Sequence, residues 1–205
     1  MVNTPTRIDL MKLDQAFKKL AKSSVAGYDL SQNKFVTLPN QRVLLESDQR
    51  WISERQSFNS RRVLLTDKTL MPYYVIKVAG DNLERITYSE QRAIRYSKAF
   101  LYDYTLLDKT HGAQIVTFET TNNAAGVPSI VNEVIDPIIH AVHLTRYAKA
   151  DSAVNDAIDY TRSYGFIAGN VPVSPDNELL IDGTRYLIEE SEAELLTTRI
   201  MLIKR

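Results

Sequence analysis

Between Glu178 and Glu189 two apolar runs are separated by only two residues, Asp182-Gly183. So short a link joins the runs as an antiparallel hairpin, and Asp-Gly is a pair that type I′ turns favour because both central residues take positive φ. A third run, LLTTRIMLI at Leu195–Ile203, follows as a closing strand rich in threonine and branched residues, and ends in Lys204-Arg205. Pro172 and Pro175 stiffen the approach to the hairpin. This part of the chain is committed to antiparallel β structure.

Similar punctuation recurs upstream. Strands are expected at Lys34–Leu38, Gln41–Leu45, Arg62–Thr66 and Tyr73–Ala79, with Pro39-Asn40 and Gly80-Asp81-Asn82 as turns. Residues 83–107 fit either a helix from Ser89 or a long strand, and strand is preferred from Phe100 onward. His111-Gly112 reads as a turn, Gln114–Thr121 as a strand, residues 122–132 (NNAAGVPSIVN) as a loop, Pro137–Arg146 as a strand, Ala148–Asn155 as a polar loop and Ala157–Ile167 as a strand. Helices are confined to the first hundred residues. Leu10, Leu13, Phe17 and Leu20 recur at three- and four-residue steps within Asp9–Lys22, and Ser47–Phe58, with Trp51 and Ile52 as anchors, fits a second short helix. The expected fold is mainly β: a barrel or sandwich of short antiparallel strands with an N-terminal amphipathic helix and few other helices.

A chain of 205 residues, 44% hydrophobic and 24% charged, can close a core without staples. It contains no cysteine, which removes disulfides, thiolate nucleophiles and cysteine-held metal centres. No apolar run reaches the ~18 residues of a membrane helix, and no signal peptide is read at the N-terminus, so a soluble protein made in the cytoplasm is expected. Net charge is zero, yet residues 1–98 hold 17 basic and 10 acidic residues against 8 and 15 in residues 99–205. This asymmetry fits neutralisation within one folded unit, or a polar subunit whose basic end meets an acidic end of a neighbour. Two regions are drawn: a basic one, 1–98, of helix plus strands and without an assigned role, and a β-barrel-like one, 99–205.

Chemistry-bearing patterns are sparse. His140-x-x-His143 places two rings on opposite faces of a strand, with no third metal ligand at a sensible spacing. His143-Leu144-Thr145 matches the H-x-T element of two-histidine phosphoesterases, but His111-Gly112-Ala113 does not supply the second copy. Phosphate-binding glycine loops and the nucleophile elbow are absent. Glu190, Glu192 and Glu194 read as a solvated acidic turn after a strand. Arg61, Arg62, Arg92 and Arg95, among Phe58, Tyr88 and Tyr96, are the nearest approach to a basic-aromatic nucleic-acid patch. No catalytic residue, metal or cofactor is assigned.

The stretch VPVSPDNELLIDGTRYLIEESEAELLTTRIMLIKR resembles the closing pattern of the head-completion proteins of tailed bacteriophages, also called stopper, head–tail joining or neck proteins. That pattern is Pro, Asp, an apolar strand, Asp-Gly, Tyr-x-Ile/Val, a polar turn and a terminal strand ending in Arg or Lys. Upstream, IVTFETTNNAAGVPS is similar to the family's early strand and following loop. The resemblance runs from about Phe100 to Arg205, and Asp176-Asn177-Glu178 stands where the family often has glycine-aspartate. It implies a non-enzymatic virion protein, assembled in the host bacterial cytoplasm, forming a homo-oligomeric ring between a portal or adaptor protein and a tail protein. Genomic DNA would pass through the channel without sequence-specific binding, and no membrane is involved. Subunit or partner contacts are expected in the loops, at Asn122, Asn123, Gly126, Pro128, Lys149, Asp151 and Asn155. The alternatives are a phosphodiester-cleaving enzyme of the two-histidine type and a DNA-binding β module.

Overall fold

The computed structural model of the chain describes residues 15, 17–21, 23–48, 61–96, 99–122, 126–146 and 162–205. The protein is mainly β, with one short N-terminal helix. Strands β1 (Val25–Asp29), β2 (Lys34–Thr37), β3 (Val43–Asp48), β4 (Arg61–Thr66), β5 (Val75–Val78), β6 (Asp81–Tyr96) and β7 (Ala99–Asp108) form one antiparallel sheet in the order β2-β1-β5-β6-β7-β4-β3. An isolated bridge between Ser23 and Val43 draws β3 toward the start of β1, so the sheet curls on itself. A second sheet contains β8 (His111–Asn122), β9 (Pro128–Ile135), β10 (His140–Arg146), β11 (Arg162–Ala168), β12 (Glu178–Ile181), β13 (Thr184–Ala193) and β14 (Thr197–Lys204), in the order β10-β11-β14-β13-β12-β8-β9. β10 also pairs with β8, which closes six of these strands into a barrel and leaves β9 outside the ring.

Turn chemistry accounts for the connections. Asp182 and Gly183 take φ of +49° and +77°, and Ile181 faces Thr184 across them, as a type I′ link requires. Asn33 and Asn40 take positive φ between β1 and β2 and after Pro39, where a short amide side chain tolerates the left-handed region. Gly27 serves a different need: a Cβ there would sit 2.3 Å from the Tyr73 ring, so the aromatic lies directly on the β1 backbone.

Strand alternation sorts the first sheet into two faces. Ile76, Tyr104, Leu106 and Leu64 point inward with Val25, Val43 and Val78. Arg85 pairs with Ile76 and shares this inward face; it is fully buried, its guanidinium reaching the Asp81 carboxylate while Nε lies 3.2 Å from Asp108 Oδ1. A charge is held there because two carboxylates accompany it. The Tyr104 hydroxyl accepts the Leu70 N–H at 2.8 Å and donates to Glu90, and burial followed by the Glu90 hydrogen bond pushes its pKa up to about 12. Val75, Ile86 and Leu107 point the other way and pack with Ala141 and Phe166 of the barrel.

Only Lys109 and Thr110 link the two bodies, yet the junction is broad. The Tyr88 and Phe166 rings meet edge to face at 4.9 Å. His143 Nδ1 donates to the Asp108 carbonyl at 2.7 Å, and Leu144 N–H donates to Thr110 Oγ1 at 2.9 Å. From the turn between β13 and β14, Leu196 enters the core of the first sheet, where it is 1% exposed. Its carbonyl accepts the Gly169 N–H at 2.8 Å, which ties the inserted turn to the end of β11.

Several expectations need correction. β7 pairs with β6 and β4, so the change of sheet comes between Asp108 and His111, whereas the sequence reading divides the chain at 98/99. His111-Gly112 opens β8 and is not a turn, because both residues pair with β10. Residues 83–96 and 99–107 lie in β6 and β7, which pair antiparallel, so no helix starts at Ser89. β13 runs on through Glu190 and Glu192 after a bulge at Ile188/Glu190, since pairing with β14 continues to Ala193; Glu192 forms an ion pair with Arg199. In the helix, Phe17 and Ala21 pack on Leu44 and Leu65, while Leu20 is 62% exposed; Leu10 and Leu13 lie outside the described residues. Ser47 and Asp48 belong to β3, and the remainder of the expected Ser47–Phe58 helix, with Trp51, lies outside the described residues.

Two substitutions test these points. Gly183→Val should destabilise the fold by about 1–3 kcal/mol through backbone strain alone, because nothing lies within 4 Å of a Cβ built there. Leu196→Ala should cost about 2–5 kcal/mol in denaturant titrations, as expected for a core leucine although the residue lies in a turn.

Candidate interaction surface

β8 is the strand from which the surface is built. On one edge it pairs with β12 over Ala113–Val116, and on the other with β10 over His111–Ala113. From Val116 to Asn122 it pairs with β9. Beyond Val116, β8 and β9 therefore run as a two-stranded ribbon out of the barrel, and among the described residues no strand pairs with the outer edge of either.

The base of the ribbon is fastened by polar contacts. Asp136 N–H donates to the Ile115 carbonyl at 2.8 Å, Gln114 Nε2 donates to the Asp136 carbonyl at 3.0 Å, and the Asp136 carboxylate accepts the Ile138 N–H at 2.9 Å. Glu133 of β9 meets Arg185 of β13 at 2.5 Å, Arg185 reaches Glu178 at 3.3 Å, and Arg205 also contacts Glu178. The Arg185 hydrogen bond holds the Glu133 carboxyl below the usual carboxylate range, against a smaller opposing effect of desolvation. Glu178 is buried at 3% exposure, with two guanidiniums to balance it.

The expected contact residues separate accordingly. Asn122 and Pro128 are partners across the outer end of the ribbon, and Gly126, exposed at φ +75°, lies in the connection between its strands. Asn123, Lys149, Asp151 and Asn155 fall outside the described residues. The loop expected over residues 122–132 is strand from Pro128 onward. Its Asn, Pro and Ser content reads as loop, but Ile130, Val131, Val134 and Ile135 are β-branched and meet an unpaired stretch of β8. That run of branched residues was the signal available.

The histidines take separate places. His111 Nδ1 is 2.8 Å from Thr110 Oγ1, and its Nε2 is 3.6 Å from Asp182 Oδ2. His140 Nε2 is 3.8 Å from Asp136 Oδ2, whereas His143 is engaged at the junction. Among the described residues no three His, Cys, Asp or Glu side chains gather as metal ligands, and no helix is long and apolar enough to cross a membrane. Arg62 and Arg92 lie on strands either side of β7 but at different levels, opposite Leu106 and Tyr102 respectively.

Burial lowers the pKa of His140, opposed in part by Asp136. With the folded value below the unfolded one, the unfolded chain takes up more protons, so stability is complete above the unfolded pKa and falls as the pH drops below it. Lowering the pH from about 7.5 to about 5.5 should therefore depress the melting temperature less in His140→Gln than in the wild type.

No protein-family model matches the chain, and no curated protein or solved structure is significantly similar to it.

Proposed function

We propose that the protein is a non-enzymatic structural subunit of a tailed-bacteriophage neck, repeated as a ring between portal and tail. The observation that carries this reading is the coincidence of sequence resemblance with a structural unit. The stretch resembling head-completion proteins contains β12, β13 and β14, three successive strands of the closed barrel, and the upstream stretch takes in β8 from Ile115 onward and the start of β9. A closed barrel is a rigid body suited to repetition about an axis, and the ribbon gives it a projecting contact element.

The chemistry is consistent with a passive part. A two-histidine phosphodiesterase needs two imidazoles facing one phosphate, whereas here the rings contact Asp182, Asp136 and the Asp108 carbonyl. Such a ring would be completed in the host cytoplasm on the portal or an adaptor, and DNA would pass through it without base readout.

Removing the reading frame from a phage that carries it should leave DNA-filled heads and finished tails that fail to join. Negative-stain images of the lysate would show the two populations, and mass spectrometry of wild-type particles should find the chain. Normal infectious particles without the protein would overturn the reading.

A further inference from the structure

Among the described residues thirteen large hydrophobic side chains are exposed, and six of these, Ile130, Val131, Val134, Ile135, Ile138 and Ile139, lie on β9 and the turn after it. Their exposures run from 41% to 65%. Register places Ile130 and Ile135 on the face of Thr120 and Val116, and Val134 on the opposite face beside Thr117, so both faces of the ribbon carry uncovered aliphatics. A two-stranded ribbon in water is marginal by itself, and a concentrated apolar patch on an open strand edge marks a contact surface.

Charge identifies the occupant. From Thr110 to Thr145 the chain has no Lys or Arg but has Glu119, Glu133 and Asp136. Divided where the sheets change, residues 1–108 hold 17 basic and 12 acidic side chains, against 7 and 13 in residues 110–205. Counting the described residues alone, the first body up to Asp108 holds 11 basic and 9 acidic side chains against 6 and 10 from Thr110 onward, so the first sheet of the same chain offers the complementary sign. Among the described residues no strand pairs with the outer side of its edge strand β2, where Lys34 and Thr37 are exposed and Leu30, in the adjoining turn, is 61% exposed.

We propose that the ribbon joins copies of this chain head to tail, β9 lying along the β2 edge of the next copy. Main-chain N–H and C=O groups pair across the two edges, and the aliphatic side chains leave water against the neighbour. The contact is heterologous, so it repeats and closes into a ring when the rotation permits. Pairing of β9 with a second β9 would stop at a dimer and would set acidic residues beside acidic ones. This inference rests on the reading of the chain as a ring subunit and names the surface that builds the ring.

The test is sedimentation velocity on the purified full chain over two decades of concentration. Wild type should assemble beyond a dimer, and Ile130→Lys and Ile130→Glu should each weaken assembly about tenfold or more, the lysine variant more severely at low salt. Circular dichroism melts check that these exposed positions leave the fold intact. Because the chain lacks cysteine, a double variant, Lys34→Cys with Asn132→Cys, should cross-link into a ladder, while Asn132→Cys alone should not extend beyond a dimer. A wild-type monomer at every concentration, an Ile130→Lys variant that sediments like wild type, or a double variant that cross-links only to dimers would overturn the proposal. Phage carrying Ile130→Lys separate the two readings. Intact necks containing the variant would refute the ribbon contact and leave the neck assignment standing, whereas ribbon-dependent ladders from a chain missing from every particle would do the reverse.

Discussion

The pairing of β10 with β8 over three residues, His111–Ala113, is the contact on which the remaining architecture depends. It turns an open sheet into a ring and satisfies edge groups of both strands. It also exhausts the barrel's hold on β8, because β12 pairs no further than Val116. Among the described residues, β8 pairs beyond Val116 with β9 alone. Closure at one end and projection at the other are thus two results of a single register.

Around this ring, buried charge occurs where strands meet ends or edges. Arg85 closes the interior of the first sheet against Asp81 and Asp108, and Glu178 lies beneath Arg185 and Arg205 at the foot of the ribbon. Each is an expensive group held by more than one partner, a pattern that favours one geometry over near alternatives. The apolar side of the first sheet works differently. Val75, Ile86 and Leu107 would be an exposed stripe in isolation, and they become core only because Ala141 and Phe166 cover them.

The β class, the turn at Asp182-Gly183 and several strand positions were legible because they rest on local chemistry: period-two alternation, branched residues and residues that accept positive φ. What escaped was non-local. Nothing near His111-Gly112 signals that β10 will pair with it, so in the sequence the dipeptide reads as a turn. Ile130–Ile135 carried strand chemistry, but flanking Asn, Gly and Pro outweighed it without knowledge of the free length of β8. Arg85 and Leu196 illustrate the same limit, since a charged residue in a strand and a leucine in an acidic turn look solvent-facing until the neighbouring body is present. Asn122, Gly126 and Pro128, which the sequence suggests as contacts, lie at the outer end of the ribbon, while the exposed aliphatic residues of β9 read in the sequence as part of a connector.

The insertion of Leu196 also bears on the order of folding. Its neighbours Val25, Val43 and Leu64 are made more than a hundred residues earlier, so the core of the first sheet cannot be completed during synthesis of its own strands. A contact of such sequence separation carries a large loop-closure cost and forms late. Without the β13–β14 turn, the cluster of Val25, Val43 and Leu64 lacks the Leu196 side chain. Residues synthesised last thus complete the core of the body synthesised first, which couples the two bodies through packing rather than through the short link alone.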